Sequence, residues 1–301
     1  MVSVVMITYG HEQYIKQAIE GVLIQQCDFA VELIIANDCS PDNTDNVVDQ
    51  FMENHPNSNW IKYTRHNSNK GMILNFIWAL EQANGKYIAL CEGDDYWTDA
   101  LKLQKQVDFL EVNPKSSMCF TSVKKYYQNK NIYSKWNLEL KQKEYSAKEI
   151  IYNLLVPTCS AVFRNEENCN YDKLFNNKNF IFPDMILWLF LLGKGSVFCL
   201  PFESAVYRRN ESSVTADMPL DLQLRLLKQH EEIAISFNDK YKDVEKKYLS
   251  RQYMVISLKL FVKKDSRCIE YFRKSISKNI FDLPNNLFYI LSKIFKKNYS
   301  L

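Results

Sequence analysis

Three carboxylates within four residues, Glu92, Asp94 and Asp95, follow an apolar run at residues 87–91 and are the strongest chemical signal in the chain. Like charges at that spacing repel one another unless something cationic sits among them. A hard divalent ion, Mg2+ or Mn2+, suits such a cluster. It takes oxygen ligands, commonly one or two carboxylates, with water and substrate phosphates completing the shell. The same residues also describe a solvated acidic turn, and spacing alone leaves both readings open. Other site signatures are missing from the sequence. His11, His55, His66 and His230 show no HExxH-type spacing. The cysteines at 27, 39, 91, 119, 159, 169, 199 and 268 contain no CxxC pair, and most lie in apolar surroundings where a reduced thiol acts as a small hydrophobe. Gly193 and Gly195 lack a third glycine at Rossmann spacing and there is no GxxxxGK[ST]. Dinucleotide and P-loop chemistry therefore fall away.

The elements that must position the carboxylates read as alternating strands and helices. Residues 2–8 form an apolar candidate strand, after which Ile15, Ala18, Ile19, Val22 and Leu23 recur at helical spacing. Residues 33–36 are again strand-like and run into the turn Asp38-Cys39-Ser40-Pro41-Asp42. A second helix with the stripe Val47, Val48 and Phe51 is expected from near Asp42, then a strand at 60–64, a helix at 72–83 and a strand at 87–91. This alternation predicts βαβ units and a largely parallel sheet, in which ligands bind outside the carboxyl ends of the strands. The polar stretches 9–11, 37–40 and 92–95 are thus expected to meet at one sheet edge. Farther on, Leu103, Val107 and Leu110 mark a helix; 118–127 and 158–163 look strand-like; 185–192 is an apolar helix or buried segment closed by Gly193; and 197–200 and 205–207 are short strands.

A chain of 301 residues with 47% hydrophobic and 24% charged residues is globular, not fibrous or disordered. Its longest stretch without charge, residues 150–163, contains Asn153, Pro157 and Thr158 and falls short of the roughly 18 apolar residues of a membrane span. No basic n-region precedes the first apolar run, so a secretory signal is not expected, and the cysteine pattern points to a reducing cytoplasm. Charge is unevenly divided: residues 240–301 hold fifteen Lys and Arg against five Asp and Glu, while residues 1–239 are net acidic. Beyond about residue 217 the pattern is helical and basic. Leu287, Ile290, Leu291, Ile294 and Phe295 recur at helical spacing among Lys293, Lys296 and Lys297. Residues 285–301 thus describe an amphipathic helix that either lies on an anionic membrane, at the inner face of the cytoplasmic membrane, or packs on the body.

Four motifs in order give the chain a family likeness: Val2-Ser3-Val4-Val5-Met6-Ile7-Thr8-Tyr9; Ile34-Ile35-Ala36-Asn37-Asp38-Cys39-Ser40-Pro41-Asp42-Asn43-Thr44; Asn69-Lys70-Gly71; and Gly85-Lys86-Tyr87-Ile88-Ala89-Leu90-Cys91-Glu92-Gly93-Asp94-Asp95. Together they resemble a family 2 glycosyltransferase with the GT-A fold, over residues 2–112 and more loosely to about residue 215. The resemblance implies an α/β protein with a Rossmann-like, mostly parallel central sheet flanked by helices. Residues 1–216 would be the catalytic domain, with 1–112 as the nucleotide-sugar half and 113–216 as the acceptor half, and 217–301 a helical basic extension.

By the same resemblance, Thr8, Tyr9, Asp38, Lys70, Glu92 and Asp94 would bind the nucleotide, with Tyr9 packing on the base, Asp38 bonding it and Glu92 near the ribose. Asp94 and Asp95 would hold Mn2+ or Mg2+. Phe182-Pro183-Asp184 resembles the acidic element at the start of a helix near the acceptor, which makes Asp184 the general base of an inverting displacement. Arg208, Arg209, Asn210 and Trp97 are candidates for diphosphate or acceptor contacts. The chain departs from the family pattern with Asn37 for Asp, Cys39 for Gly, Glu92 for Asp, Pro183 for Glu and Asn210 for His. The implied activity is hexosyl or N-acetylhexosaminyl transfer from a nucleotide-diphosphate sugar, such as a UDP-sugar, to a surface polysaccharide or lipid-linked acceptor. The alternative is a nucleotide-sugar-binding module without turnover. Nucleic acid is not an expected partner, because the acidic body would repel phosphate and no recognised module accompanies the basic tail.

Overall fold

The structure is a computed structural model and describes residues 1–136, 141, 143–153, 156–166, 169–175, 182–209, 219–236, 238–279 and 285–286. It divides into two compact units, one of Met1–Ser146 with Leu155–Ala216 and one of Ala147–Leu154 with Asp217–Leu301.

The first unit opens with β1 (Val2–Thr8), α1 (Ile15–Leu23), β2 (Val31–Asn37), α2 (Thr44–Asn54), β3 (Ile61–Arg65), α3 (Met72–Glu81) and β4 (Tyr87–Leu90). The four strands pair in parallel in the order β3-β2-β1-β4. β2 and β4 are buried at every position and β1 at all but one, which is why they read as continuous apolar runs. The expected stripe of α1, Ile15, Ala18, Ile19, Val22 and Leu23, is buried throughout.

The chain continues through β5 (Tyr96–Trp97), α4 (Lys102–Val112), β6 (Ser116–Tyr127), β7 (Ile132–Lys135) and β8 (Lys143–Tyr145), then α5 (Ala147–Asn153), which belongs to the second unit. β9 (Val162–Arg164), α6 (Tyr171–Leu174), α7 (Asp184–Lys194) and β10 (Ser196–Arg209) complete the first unit. The full order is β3-β2-β1-β4-β9-β6-β10-β5, with β7 on β6 and β8 on β10. The α/β expectation is met, with a mixed sheet: β9 is antiparallel to both β4 and β6, and β6 and β10 are again parallel.

Two local expectations change. The segments 197–200 and 205–207 are parts of the single strand β10, because register shifts between Leu200 and Ala205 break the alternation around Pro201 without ending the pairing with β6. Helix α7 runs through Gly193 to Lys194. Gly195 marks its end, where a Cβ would come within 2.5 Å of the Lys115 carbonyl.

A lysine lies in the core of this unit. Lys102 is fully buried; its Nζ donates to Gln106 Oε1 at 2.7 Å and sits 4.2 Å from the Trp97 ring centroid. Burial pushes its ammonium down to about 8 against the pull of the Cys91, Cys119 and Cys159 thiols.

The second unit contains α8 (Leu220–Ser236), α9 (Asn238–Val262) and α10 (Cys268–Lys278) around Leu227, Leu249, Tyr253, Ile256, Leu260 and Tyr271. Lys278 pairs with Glu231 at 2.9 Å, tying α10 to α8. No described helix is long and apolar enough to cross a membrane. The amphipathic stripe from Leu287 to Phe295 and the lysines around it lie outside the described residues.

The unfolded chain holds the Lys102 proton up to about pH 10.4, whereas the folded protein releases it near pH 8. Between those values the unfolded state binds more protons, so this group favours the folded state increasingly as pH rises. Urea midpoints of the wild type and Lys102→Met, measured at pH 7 and pH 9.5, are expected to show the wild type gaining on the variant at the higher pH.

Candidate active site at the carboxyl ends of the parallel strands

Register brings the expected loops together. β1 and β2 end side by side at Thr8 and Asn37. The Asp38 N–H donates to the Thr8 carbonyl at 2.9 Å and the Gly93 N–H to the Ile7 carbonyl at 3.0 Å, so both polar loops are tied to the end of β1. The three stretches expected at one edge do meet there.

The acidic turn is sterically tight. A Cβ on Gly93 would come within 2.7 Å of Thr8 Oγ1 and 2.9 Å of His11 Nδ1, so only glycine lets β1 approach the turn this closely. The three carboxylates face different surroundings. Asp95 is 2% exposed, and its Oδ1 accepts the backbone N–H of residue 208 at 2.7 Å. Burial, then the charges of Asp94 and Glu92, raise it well above the ordinary carboxylate range. Glu92 is pushed up to about 8, first by burial and then by Asp94, with Asp184 adding to the effect. Its Oε2 is buried and finds no partner among the described residues. Asp94 is partly exposed.

The chemistry of this donor set suits a hard cation. Asp94 offers a partly exposed carboxylate, Glu92 an orphaned buried oxygen, and the mutual repulsion of the cluster would be relieved by a divalent charge. Among the described residues no group of three or more His, Cys, Asp or Glu is set to hold a metal. The fit is to an ion held by one or two carboxylates and completed by water and phosphate, not to an all-protein cage. Asp95, expected beside Asp94 as a ligand, is turned inward, where its carboxylate satisfies the backbone of β10.

Asp38 is also buried. Its two oxygens accept the backbone N–H groups of Lys70 at 2.7 Å and Gly71 at 2.9 Å, fixing the loop between β3 and α3 beside the end of β2. Lys70 thereby reaches the site edge through its backbone, while its side chain is exposed. Tyr9 is 49% exposed and presents its ring at the same edge. Thr8, expected to face a nucleotide, is 2% exposed with its Oγ1 against Gly93.

One family departure has a local explanation, and a second sits in a conformation that favours the family's residue. The Asn37 amide donates to Asp45 Oδ1 at 2.9 Å and to the Tyr63 hydroxyl at 2.8 Å while its carbonyl oxygen accepts from Ser40. An aspartate there could not donate and would face the Asp45 carboxylate, which also pairs with Arg65. Cys39 adopts φ 61°, the left-handed region that glycine occupies without strain.

Asp184 starts α7, accepts the Met185 N–H at 2.8 Å and is close enough for its charge to act on Glu92. The acidic start of α7 therefore lies within electrostatic reach of the acidic turn. Trp97 does not join them. It is 2% exposed and its indole N–H donates to the Cys159 carbonyl at 2.7 Å, which makes it a core residue. Arg208 is 4% exposed and packed behind the turn, and Arg209 lies 5.9 Å from the Tyr127 ring centroid. Asn210 lies outside the described residues. The sequence places His11 in the polar stretch 9–11 at this edge and assigns it no role of its own. Its buried Nδ1 lacks a partner among the described residues, and burial lowers its pKa against the pull of Asp94 and Asp42. Its place directly after Tyr9-Gly10 was the available signal.

A sheet whose parallel strands converge on a buried acidic turn, faced by a further carboxylate at a helix start, is of the GT-A class. Residues 3–168 match the family model described as Glycosyl transferase family 2, and the chain belongs to that family. It is 34% identical over 213 residues to an uncharacterised protein of Mycobacterium tuberculosis, covering 70% of this chain and 60% of that one. The chain thus spans less than two thirds of that relative's length. It is 28% identical over 204 residues to the Escherichia coli UDP-Glc:alpha-D-GlcNAc-diphosphoundecaprenol beta-1,3-glucosyltransferase WfaP, covering 65% of this chain and 71% of the relative. Among solved structures, Staphylococcus aureus TarS 1-349 in complex with UDP-GlcNAc superposes with a TM-score of 0.65 at 19% identity over 92% of this chain and 81% of that one. A Pyrobaculum calidifontis mannosyltransferase in complex with GDP-Man and Mn2+ gives 0.60 at 13% identity over 99% and 81%.

Replacing Asp38 with alanine removes the carboxylate acceptor of the Lys70 amide and leaves the Gly71 amide only Asn69 Oδ1, a loss of two charge-assisted hydrogen bonds at a partly buried site that costs about 1–3 kcal/mol. Denaturant titration should show that loss, and hydrogen exchange should show accelerated exchange at the Lys70 and Gly71 amides.

Proposed function

We propose that the protein is an inverting, metal-dependent glycosyltransferase that moves a sugar from a nucleotide-diphosphate donor to a hydroxyl of a surface polysaccharide or lipid-linked oligosaccharide, with residues 1–216 as its catalytic domain. The observation that carries this reading is the acidic turn of Glu92 and Asp94 at the carboxyl edge of the parallel strands, within electrostatic reach of Asp184. A donor site needs charge compensation for a diphosphate, and a transfer site needs a base. The cluster offers both.

In this reading Tyr9 packs on the base with its exposed ring, and the Asp38-anchored loop carrying Lys70 closes the same side. Glu92 lies toward the ribose. Asp94, with Glu92 beside it, would hold Mn2+ or Mg2+. When bound, the ion neutralises the departing diphosphate. Asp184 accepts the proton of the acceptor hydroxyl as its oxygen forms a bond to the anomeric carbon and the bond from that carbon to the diphosphate breaks. Displacement from the face opposite the leaving group inverts the anomeric configuration.

The names of WfaP and TarS, with UDP-Glc and UDP-GlcNAc, support a UDP-sugar donor, and that of the Pyrobaculum enzyme supports Mn2+. All eight cysteines are free, which suits a cytoplasmic reaction that draws on soluble donors. Peripheral membrane attachment through residues 285–301 would bring the enzyme to a lipid-linked acceptor. The reading without turnover leans on the departures at Asn37, Pro183 and Asn210, and the Asn37 amide already has a structural role.

Calorimetry with UDP and GDP, each with and without Mn2+, is expected to show metal-dependent binding of one nucleotide, lost in Asp94→Ala. Asp184→Asn should keep that binding while nucleotide release from the matching sugar donor falls by about 10²–10⁴. Binding with no turnover in the wild type would favour the module without catalysis.

A further inference from the structure

Arg208, placed by its sequence among candidate diphosphate contacts, has a different setting. Its Nε donates to the Asp94 carbonyl at 2.8 Å, Nη1 to Gln128 Oε1 at 2.6 Å and Nη2 to Gln17 Oε1 at 2.5 Å. Its backbone N–H donates to Asp95 Oδ1 at 2.7 Å. The guanidinium carbon lies 5.0, 5.1 and 5.5 Å from the ring centroids of Tyr14, Tyr96 and Tyr126. Tyr133, on β7, closes the cage by stacking on Tyr126 at 4.6 Å, with its hydroxyl 3.1 Å from that of Tyr96.

Among the described residues, the guanidinium's partners are a backbone carbonyl, two amide oxygens and three ring faces, with no carboxylate. A buried cation with only neutral partners bears a desolvation cost that an ordinary core residue would avoid. The planar fork is what a lysine could not reproduce, since it reaches three acceptors in fixed directions at once. One of those acceptors is the peptide that joins Asp94 to Asp95. With that carbonyl held by Nε and the Asp95 carboxylate held by the 208 backbone, the turn has one orientation, with Asp95 inward and Asp94 left partly exposed.

We propose that Arg208 is a positioning residue: it reaches no substrate itself, and it latches the acidic turn so that Asp94 faces the donor site. The consequence for the donor rests on the function proposed above; the latch does not.

Hydrogen exchange on the ligand-free full chain reads the latch alone, using the wild type, Arg208→Lys and the double variant Gln17→Ala, Gln128→Ala, which keeps the arginine. In both variants, the amides of Asp95 and residue 208 should exchange at least tenfold faster, while those of Met6 and Ile35 within β1 and β2 stay unchanged. Unchanged exchange at Asp95 and 208 overturns the latch. Calorimetry with UDP, with and without Mn2+, then reads its consequence. The metal-linked gain in UDP affinity should fall about tenfold in the variants while UDP binding without metal is unaffected. Faster exchange with an unaltered metal-linked gain overturns the positioning of Asp94. Should the wild type show no metal-linked binding of UDP or GDP, the donor reading fails, and the exchange result still decides the latch.

Discussion

Negative charge gathered at the end of β4 is the constraint around which the rest of the first unit is arranged. Glu92, Asp94 and Asp95 lie within four residues, two of them are driven toward protonation by burial, and Asp184 adds a fourth charge from another element. Such a cluster persists only where the surrounding structure holds it. Here the holding groups are mainly N–H donors and close backbone contacts: the 208 amide on Asp95, the guanidinium on the Asp94 carbonyl, and Gly93 against Thr8 and His11.

None of these groups is a cation paired with the Asp94 carboxylate, since the guanidinium bonds the Asp94 backbone carbonyl, and that carboxylate stays available to a ligand. Had a lysine or arginine paired directly with Asp94, the turn would be more stable and less able to take a divalent ion. Asp38 is used in the opposite way. Two backbone amides satisfy it, and it serves as the anchor of a loop. Two similar-looking acidic positions at neighbouring strand ends therefore do different work, and their hydrogen-bond partners distinguish them.

The fold was legible wherever a segment is buried on one consistent side or on both. β1, β2 and β4 read as continuous apolar runs and α1 as a stripe because their positions in the sheet bury those residues. Legibility failed where long-range pairing overrides local pattern. β10 hides behind register shifts near Pro201, and α5 leaves the first unit for the second, which no contiguous reading along the chain reveals. Within the site, residue types were legible and directions were not. Thr8, Asp95 and Trp97 have the chemistry to touch a ligand, yet each is 2% exposed, because the strand or turn carrying it points its side chain inward.

The sequence by itself determined the kind of protein: alternating units that build a sheet, an acidic turn at a strand end, and motifs in an order that marks glycosyl transferase family 2. Those features are local, written in periodicity and short spacings. Only the tertiary structure decided which carboxylate is presented outward, that Asp184 acts on Glu92 from a helix nearly a hundred residues away in sequence, and that Arg208 grips the turn between Gln17 and Gln128. Each depends on distances between segments remote in the chain, set by register and packing after the sheet has formed, and no local pattern of residues records them.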